Sequence, residues 1–538
     1  MTTQLLLGGM VYSSPAVPDA TAMAVTDGTI VWVGSDDVGR ALHPDAEVVD
    51  LQGRFVSPAF VDSHVHLTDT GIALGGLNLT GATSRSDCLQ QLAAYLAAND
   101  DELVWGLGWD ASAWSDDETG QDHPPTTSDI DAVAGGRAVY LARIDEHSAA
   151  ASSALRRLVP GLADELGYSD EEPLVADAHH RVRATARNLL TPAARRRAQL
   201  LALDHAASRG VVAVHENGGP DISGLADFHS IADVEHGVLV RRYWGEAAAS
   251  TDEVAAILER TGADAIGGDL FVDGALGSHT AWLCEPYADA ADSTGVRYLS
   301  EQVILDHLRA TTHARVQAGF HMIGDAATTA VAEALEILAA ELGTPALASC
   351  VHRLEHAEMV TSKQAEIFAR CGAIASMQPL FDAAWGGSDD LYATRLGERG
   401  GTLNDFAMLA KAGVALAFSS DSPVCAIDPW ATVRAAAHHR TPTSSISPRA
   451  AFAASTRGGW RAAGVNDGLT GTLVPGAPAH YAVWDVDELV VSASQEGVQR
   501  WSTDPRSRVP ALPDVSPDAT LPECVETVAS GRTIYRRA

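Results

Sequence analysis

The sequence predicts an α/β protein: a (β/α)8 barrel with a small β-rich unit built from both chain ends. Three observations predict it. Strand-like runs alternate with helix-like ones through the middle of the chain, which is the pattern of a parallel sheet. Both ends read as short strands separated by turns. The first long apolar run, FVSPAFVDSHVHL over 55–67, closes on two histidines one residue apart. At 538 residues, 46% of them hydrophobic, the chain has enough apolar material for one large barrel and a smaller partner.

The elements follow in order. Residues 1–57 contain LLLGGMVY, TAMAVTDGTIVWVGS and AEVVDLQGRFV, with Asp27-Gly28 and Gln52-Gly53 as turn signals between β-branched runs. The far end repeats the pattern in HYAVWDV, ELVVSAS and ETVASGRTIYRRA. Chain ends often lie close together, so 1–57 and 468–538 are expected to form one β-unit; a separate domain at each end is the alternative. The barrel is expected over 58–467 with an insertion at about 68–195. That insertion shows helical patterns and an aromatic, acidic loop, WGLGWDASAWSDD, in which Trp105, Trp109 and Trp114 either line an apolar pocket or pack the insertion itself. Seven further strand-like runs follow at 211–218, 237–245, 269–274, 316–325, 350–358, 372–381 and 413–424. With 55–66 they make eight, the number of a (β/α)8 barrel, although an open sheet is also compatible.

Composition narrows the function. A net charge of −33 and a pI near 4.8 repel phosphate backbones and anionic membrane surfaces, so neither nucleic acid nor membrane is an expected partner. The six cysteines lack C-x-x-C spacing, which fits a reducing compartment and offers no thiolate cage. The opening MTTQLLLGGMVYSS has no basic n-region, and no apolar run is long enough to span a bilayer. A cytoplasmic protein is expected.

Barrel chemistry sits at the C-terminal ends of the strands. On a strand through 55–66, His64 and His66 point the same way, which suits a divalent metal. With 20 histidines in the chain, an H-x-H arises by chance about 0.7 times, so the pair is weak by itself. His321, His356 and Asp421 close three other apolar runs. Five metal-competent residues at one rim predict a shared metal site.

The blocks DGTIVWVGS, VDLQGRFVSPAFVDSHVHL, IDEHSAAASSAL, LFVDGALGSHTAWL, FHMIGDAAT, HRLEHAEMV, SMQPLF, AFSSDSPV and GTLVPGAPAHYAVWDV resemble the amidohydrolase superfamily. Their order resembles its family 3 branch in particular, the YtcJ-like proteins that include N-substituted formamide deformylases. The resemblance implies a metal-dependent hydrolase in a distorted (β/α)8 TIM barrel, with a small β-sandwich domain from both termini. By position, His64 and His66 resemble the first metal's imidazole pair, His321 and His356 the ligands of strands five and six, and Asp421 the strand-eight aspartate that binds metal and shuttles the proton. His147 resembles a substrate-facing, catalytic histidine; a surface residue at a helix start is its plainer reading. Trp109, His279 and Gln378 are the candidate substrate contacts. One departure matters: where much of this branch carries a carboxylated lysine on strand four, this chain has Asp269. Its only lysines, Lys363 and Lys411, lie in helical stretches. A two-metal site then uses Asp269 as a shorter bridge, or Asp273 nearby; otherwise there is one metal.

The expected function is hydrolysis of a carbon–nitrogen bond other than a peptide bond (amide, N-formyl or N-acyl) by metal-activated water, with Asp421 as proton shuttle. His147 or His279, as a neutral imidazole, would steady the oxyanion. Zinc is the first expectation for the metal, with manganese, iron or nickel as alternatives. An ester, lactone or cyclic substrate on the same site is the nearer alternative, and a non-catalytic barrel that only binds is the more distant one. A small-molecule substrate is the expected partner, and a homodimer is compatible with the resemblance.

Overall fold

The computed structural model describes residues 2–13, 17, 19–114, 123–490 and 510–538. Two sheets take up the chain ends. One has the order Thr29–Gly34, Ala22–Thr26, Thr3–Leu7, Glu47–Asp50. The other has the order Met10–Val11, Phe55–Pro58, Tyr481–Asp485, Glu523–Ala529, Arg532–Arg536, so N-terminal and C-terminal strands pair directly. The Asp27-Gly28 turn has both residues at positive φ, 47° and 81°, as a tight hairpin requires. Leu6, Met23, Ile30, Val56, Tyr481 and Val528 share one apolar core between the sheets. Within ELVVSAS, Leu489–Val490 is a strand paired with Leu512–Pro513, and 491–494 lie outside the described residues, as do 115–117 of the acidic loop.

The middle of the chain forms two four-stranded parallel sheets. The first runs Ala265–Ile266, Leu239–Trp244, Val211–Gly218, Phe60–Val65; the second runs Gly319–Met322, Arg353–His356, Ile374–Met377, Ala415–Phe418. Isolated parallel bridges tie them at both seams, Val65 to Ser422 and Phe271 to His321. Seven of the eight expected strand positions are thus found in order across these two half-sheets, the eighth strand being Ala265–Ile266 ahead of the expected 269–274, and most are shorter than the sequence suggests.

Three local expectations are corrected. Residues 55–66 are not one strand: the chain leaves the sandwich sheet after Pro58, and at Ala59 its amide bonds to His480 O (3.1 Å) before Phe60 pairs with Gly210 (2.9 Å). Residues 269–274 are not a strand either. Gly267 and Gly268 turn the backbone at φ 118° and 73°, and Gly267 lies so close to Gly319 that a Cβ would meet its nitrogen at 2.2 Å. The ladder therefore ends at Ile266, and Asp269 leaves it on irregular chain. Finally, Leu103–Trp109 is a strand rather than a loop. It belongs to a five-stranded sheet of the insertion with Leu77–Asn78, Ala138–Arg143, Ser148–Ala151 and Leu174–Val175.

Phe60 starts the first parallel strand, and its ring meets Trp430 (5.1 Å between centroids) and Trp484 (5.7 Å) edge-on. Trp484 belongs to the sandwich sheet, so this aromatic floor joins the two units at the end opposite His64. No helix among the described residues is long and apolar enough to cross a membrane.

Candidate metal centre

The floor fixes one end of the strand and the seam fixes the other. Asp421 N donates to His64 O, and His66 N to Ser422 O, both at 2.9 Å, so the last strand is clamped to the first where the ligands emerge. His64, His66, Asp269, His321, His356 and Asp421 all converge here, each at most 8% exposed. His356 and Asp421 sit at positive φ, 67° and 54°, a conformation that costs a non-glycine residue about 1–3 kcal/mol and persists only where surroundings impose it.

The histidines are aimed by their second nitrogens. His64 Nδ1 bonds Glu355 Oε2 (2.9 Å), His66 Nδ1 the Asn217 carbonyl (2.9 Å) and His356 Nδ1 Gln378 Oε1 (2.9 Å). This leaves each Nε2 facing the centre, the usual arrangement for metal-binding imidazoles. His321 is turned the other way: Nε2 faces Gly274 O at 3.3 Å and Nδ1 faces Asp269 Oδ1 at 2.8 Å.

Asp269 divides the centre. Its Oδ2 lies 3.7 Å from His66 Nε2 and 3.9 Å from His64 Nε2, while Oδ1 lies 2.8 Å from His321 Nδ1 and 3.6 Å from His356 Nε2. Asp421 Oδ1 completes the first group, 3.3 Å from His64 Nε2 and 3.2 Å from His66 Nε2. Ligand atoms held about 2.1 Å from a tetrahedral ion are about 3.4 Å apart, so these separations suit a cation between them. The donors point the same way: His64 Nε2, His356 Nε2 and Asp421 Oδ1 are buried with no hydrogen-bond partner. Nearly all such atoms in native proteins are paired, and a divalent ion would satisfy all three at once.

The field is negative. Burial pulls His66 and His356 down, but the Asp421 and Asp269 carboxylates outweigh it and raise them to about 10 and about 9. Burial pushes Asp421 up, yet the imidazoles of His64, His66 and His356 hold it below the ordinary carboxylate range. A bound cation replaces those protons as the balancing charge. Asp273 faces elsewhere: it accepts the amides of Trp282 (2.8 Å), Ile323 (3.0 Å) and Gly324 (2.8 Å). Between the two carboxylates considered for a bridge, the geometry favours Asp269.

A narrow cavity of about 30 Å³ opens beside the ligands, with His147, His321, His356 and Asp421 in its lining. The His147 ring lies 5.0 Å from that of His321, and burial, then the charge of His321, holds it well below its ordinary value, so it is a neutral imidazole. His279 is elsewhere, a third exposed and bonded through Nε2 to Asp289 Oδ1 at 3.0 Å. Gln378 lies behind His356 and donates to Ser419 Oγ (2.9 Å), which makes it a support for a ligand. Trp109 is buried in the insertion's core with Leu141 and Val139, its Nε1 donating to Leu141 O (2.8 Å), and it does not line the cavity.

Sequence reasoning missed Glu355 and Arg353. Both are fully buried; Arg353 holds Glu355 through Nε (2.7 Å) and also reaches Ser376 Oγ (3.1 Å) and His215 Nδ1 (2.8 Å). The available signal was R-x-E-H inside an apolar run, where alternation puts the two charges on one face.

The amidohydrolase family model matches residues 47–535. The chain is 27% identical to Protein LONG AFTER FAR-RED 3 of Arabidopsis thaliana, over 91% of this chain and 89% of that protein. It is 26% identical to the putative amidohydrolase YtcJ of Bacillus subtilis, over 80% and 82% of the two chains. Among solved structures, a metal-dependent hydrolase from Pyrococcus horikoshii OT3 superposes with a TM-score of 0.70 at 24% identity, covering 90% of this chain and 98% of that one.

Proposed function

We propose, from the premise that this chain belongs to the amidohydrolase family and is a metal-dependent hydrolase of carbon–nitrogen bonds, that it cleaves an amide, N-formyl or N-acyl bond of a small molecule. The two half-sheets then act together as a distorted (β/α)8 barrel, with its chemistry at the rim where the strands end. One observation carries the reading: a single carboxylate, Asp269, turns one oxygen to each of two histidine pairs, while His64 Nε2, His356 Nε2 and Asp421 Oδ1 are buried and unsatisfied. His64, His66, Asp421 and Asp269 would hold one divalent ion, zinc first, and Asp269, His321 and His356 a second. Bound there, such ions polarise a carbonyl and acidify water.

The chain's own groups do the rest. Asp421, with Oδ1 turned to the ion, would take the proton of the attacking water on its carboxylate and later give it to the departing amine. His147, neutral and lining the cavity, is placed to donate a hydrogen bond to the oxygen that becomes negative. Burial keeps bulk water from competing. Replacing Asp421 with Asn is expected to lower kcat by about 100-fold or more with at least one ion per chain retained, measured by amide hydrolysis and metal analysis. Full activity in that variant would refute the assignment, and one ion per chain in the metal-saturated wild-type protein would refute the bridge.

A further inference from the structure

We propose that the cleft bordered by Asp177, His180, Asp221 and Tyr298 binds an organic cation, carried by the substrate at the end away from the bond that is cut. The inference rests on the hydrolase reading only in giving that cation to the substrate. The spaces at the metal ligands are small, about 30 Å³ beside His356 and Asp421 and about 20 Å³ beside His66 and Arg183. Each has room for a group of about two waters' size, so the bulk of any larger molecule lies outside them. Ile222, Asp269 and Phe271 line both the 20 Å³ space and a cleft of about 380 Å³, a volume ordinary for small-molecule sites. Phe271 connects the two. Its ring meets those of His321 (5.0 Å between centroids) and His147 (5.4 Å), which line the smaller space. It also meets those of His180 (5.7 Å) and Tyr298 (6.2 Å), which line the cleft.

The cleft lacks a counter-charge. Asp177, His180 and Arg181 share one face of the helix Ala176–Leu189 by their spacing, and all three line it. Arg181 is the only Arg or Lys among the described lining residues, and it is engaged, paired with Glu165 and donating to Pro160 O (2.6 Å). Arg183 serves the smaller space, where it donates to Glu146 O (3.3 Å) and Asp221 O (2.6 Å). Asp269 belongs to the ions. Among the described residues, none bonds or pairs with the carboxylates of Asp177 and Asp221. Burial, then the charges of Glu165 and Asp221, raise the Asp177 carboxyl, with no cation to oppose them. His180 supplies an independent sign of a ligand. It is 8% exposed, and neither ring nitrogen bonds a described protein group. Burial, then the charge of Arg183, holds it down to about 3, so the ring is neutral. A cation here meets two unpaired carboxylates and the aromatic rings of Tyr298 and Phe271, whereas an anion finds no free guanidinium.

The test is calorimetric binding of benzyltrimethylammonium, benzyl alcohol and phenylmethanesulfonate to the metal-loaded protein; the first carries a fixed charge and cannot ligate a metal. The cation is expected to bind about 10-fold or more tightly than the alcohol, and the sulfonate most weakly. Added salt is expected to weaken the cation alone. In the double variant Asp177→Asn/Asp221→Asn, matched to wild type in metal content, the cation-to-alcohol ratio is expected to fall toward about 1. Asp37→Asn/Asp45→Asn, which removes two exposed carboxylates of the N-terminal β-unit, is expected to keep the wild-type ratio, so that the overall charge of −33 is not what binds. Equal binding of cation and alcohol, tightest binding of the sulfonate, no binding of any probe, or an equal ratio in the two double variants would overturn the inference. Cation selectivity in a protein that cuts no amide would leave the cleft's role standing and remove the proposed reaction; amide cleavage without that selectivity would do the reverse.

Discussion

His64 presents Nε2 to the centre because Glu355 occupies its Nδ1, and Glu355 is in place because Arg353, fully buried, holds both its oxygens (2.7 and 3.0 Å). Such a chain is sensitive at its middle. Glu355→Gln leaves the Arg353 charge without a balancing anion and frees the His64 ring, so it is expected to cost about 3 kcal/mol of stability. It is also expected to weaken metal binding by about 10-fold or more, read from thermal melts and metal titration. Five of the six residues that converge there, His64, His66, His321, His356 and Asp421, were legible as polar residues closing apolar runs, whereas Asp269 opens its run and was reached only through the position that the resemblance gives it. Glu355 was not, since its value lies in contacts to residues 291 positions away and 2 positions away at once. Trp109 shows the opposite failure: its residue type suggested a substrate wall, while its neighbours Leu141 and Val139 make it core.

Among the elements, the seam between the two half-sheets is the most constrained. Gly319 starts the strand that carries His321, and a Cβ there would meet Gly268 N at 2.2 Å, beside Asp269. Gly319→Ala is therefore expected to force the seam apart at a cost of about 3 kcal/mol, and to lower the number of ions bound per chain. Retention of both full metal content and melting temperature would contradict this account of the seam. Strand order was legible here and strand extent was not. Residues 55–66 read as one apolar run because both halves are buried, but Ala59 passes the chain between two sheets, and no periodicity marks that change of partner. DLFVDG looks like a strand by composition, yet Gly267 and Gly268 have already broken the ladder.

Across the molecule, the floor of Phe60, Trp430 and Trp484 makes the sandwich and the parallel sheets one packing unit. Trp484 is 2% exposed and its Nε1 donates to Ser57 Oγ (3.0 Å). Trp484→Ala is expected to cost about 3–5 kcal/mol and to lower a single, shared unfolding transition rather than to melt the sandwich alone, as calorimetry would show. The pairing of the two chain ends was foreseeable from their like composition; the indole that joins them to the parallel sheets was not, because aromatic contacts between distant segments leave no local pattern. One consequence reaches the protein's surroundings. A lysine bridge must capture dissolved carbon dioxide before it can ligate, whereas the bridge proposed at Asp269 is encoded in the polypeptide. Apoprotein refilled with zinc in degassed, bicarbonate-free buffer should regain as many ions per chain as in buffer rich in bicarbonate, so that maturation depends on metal supply alone.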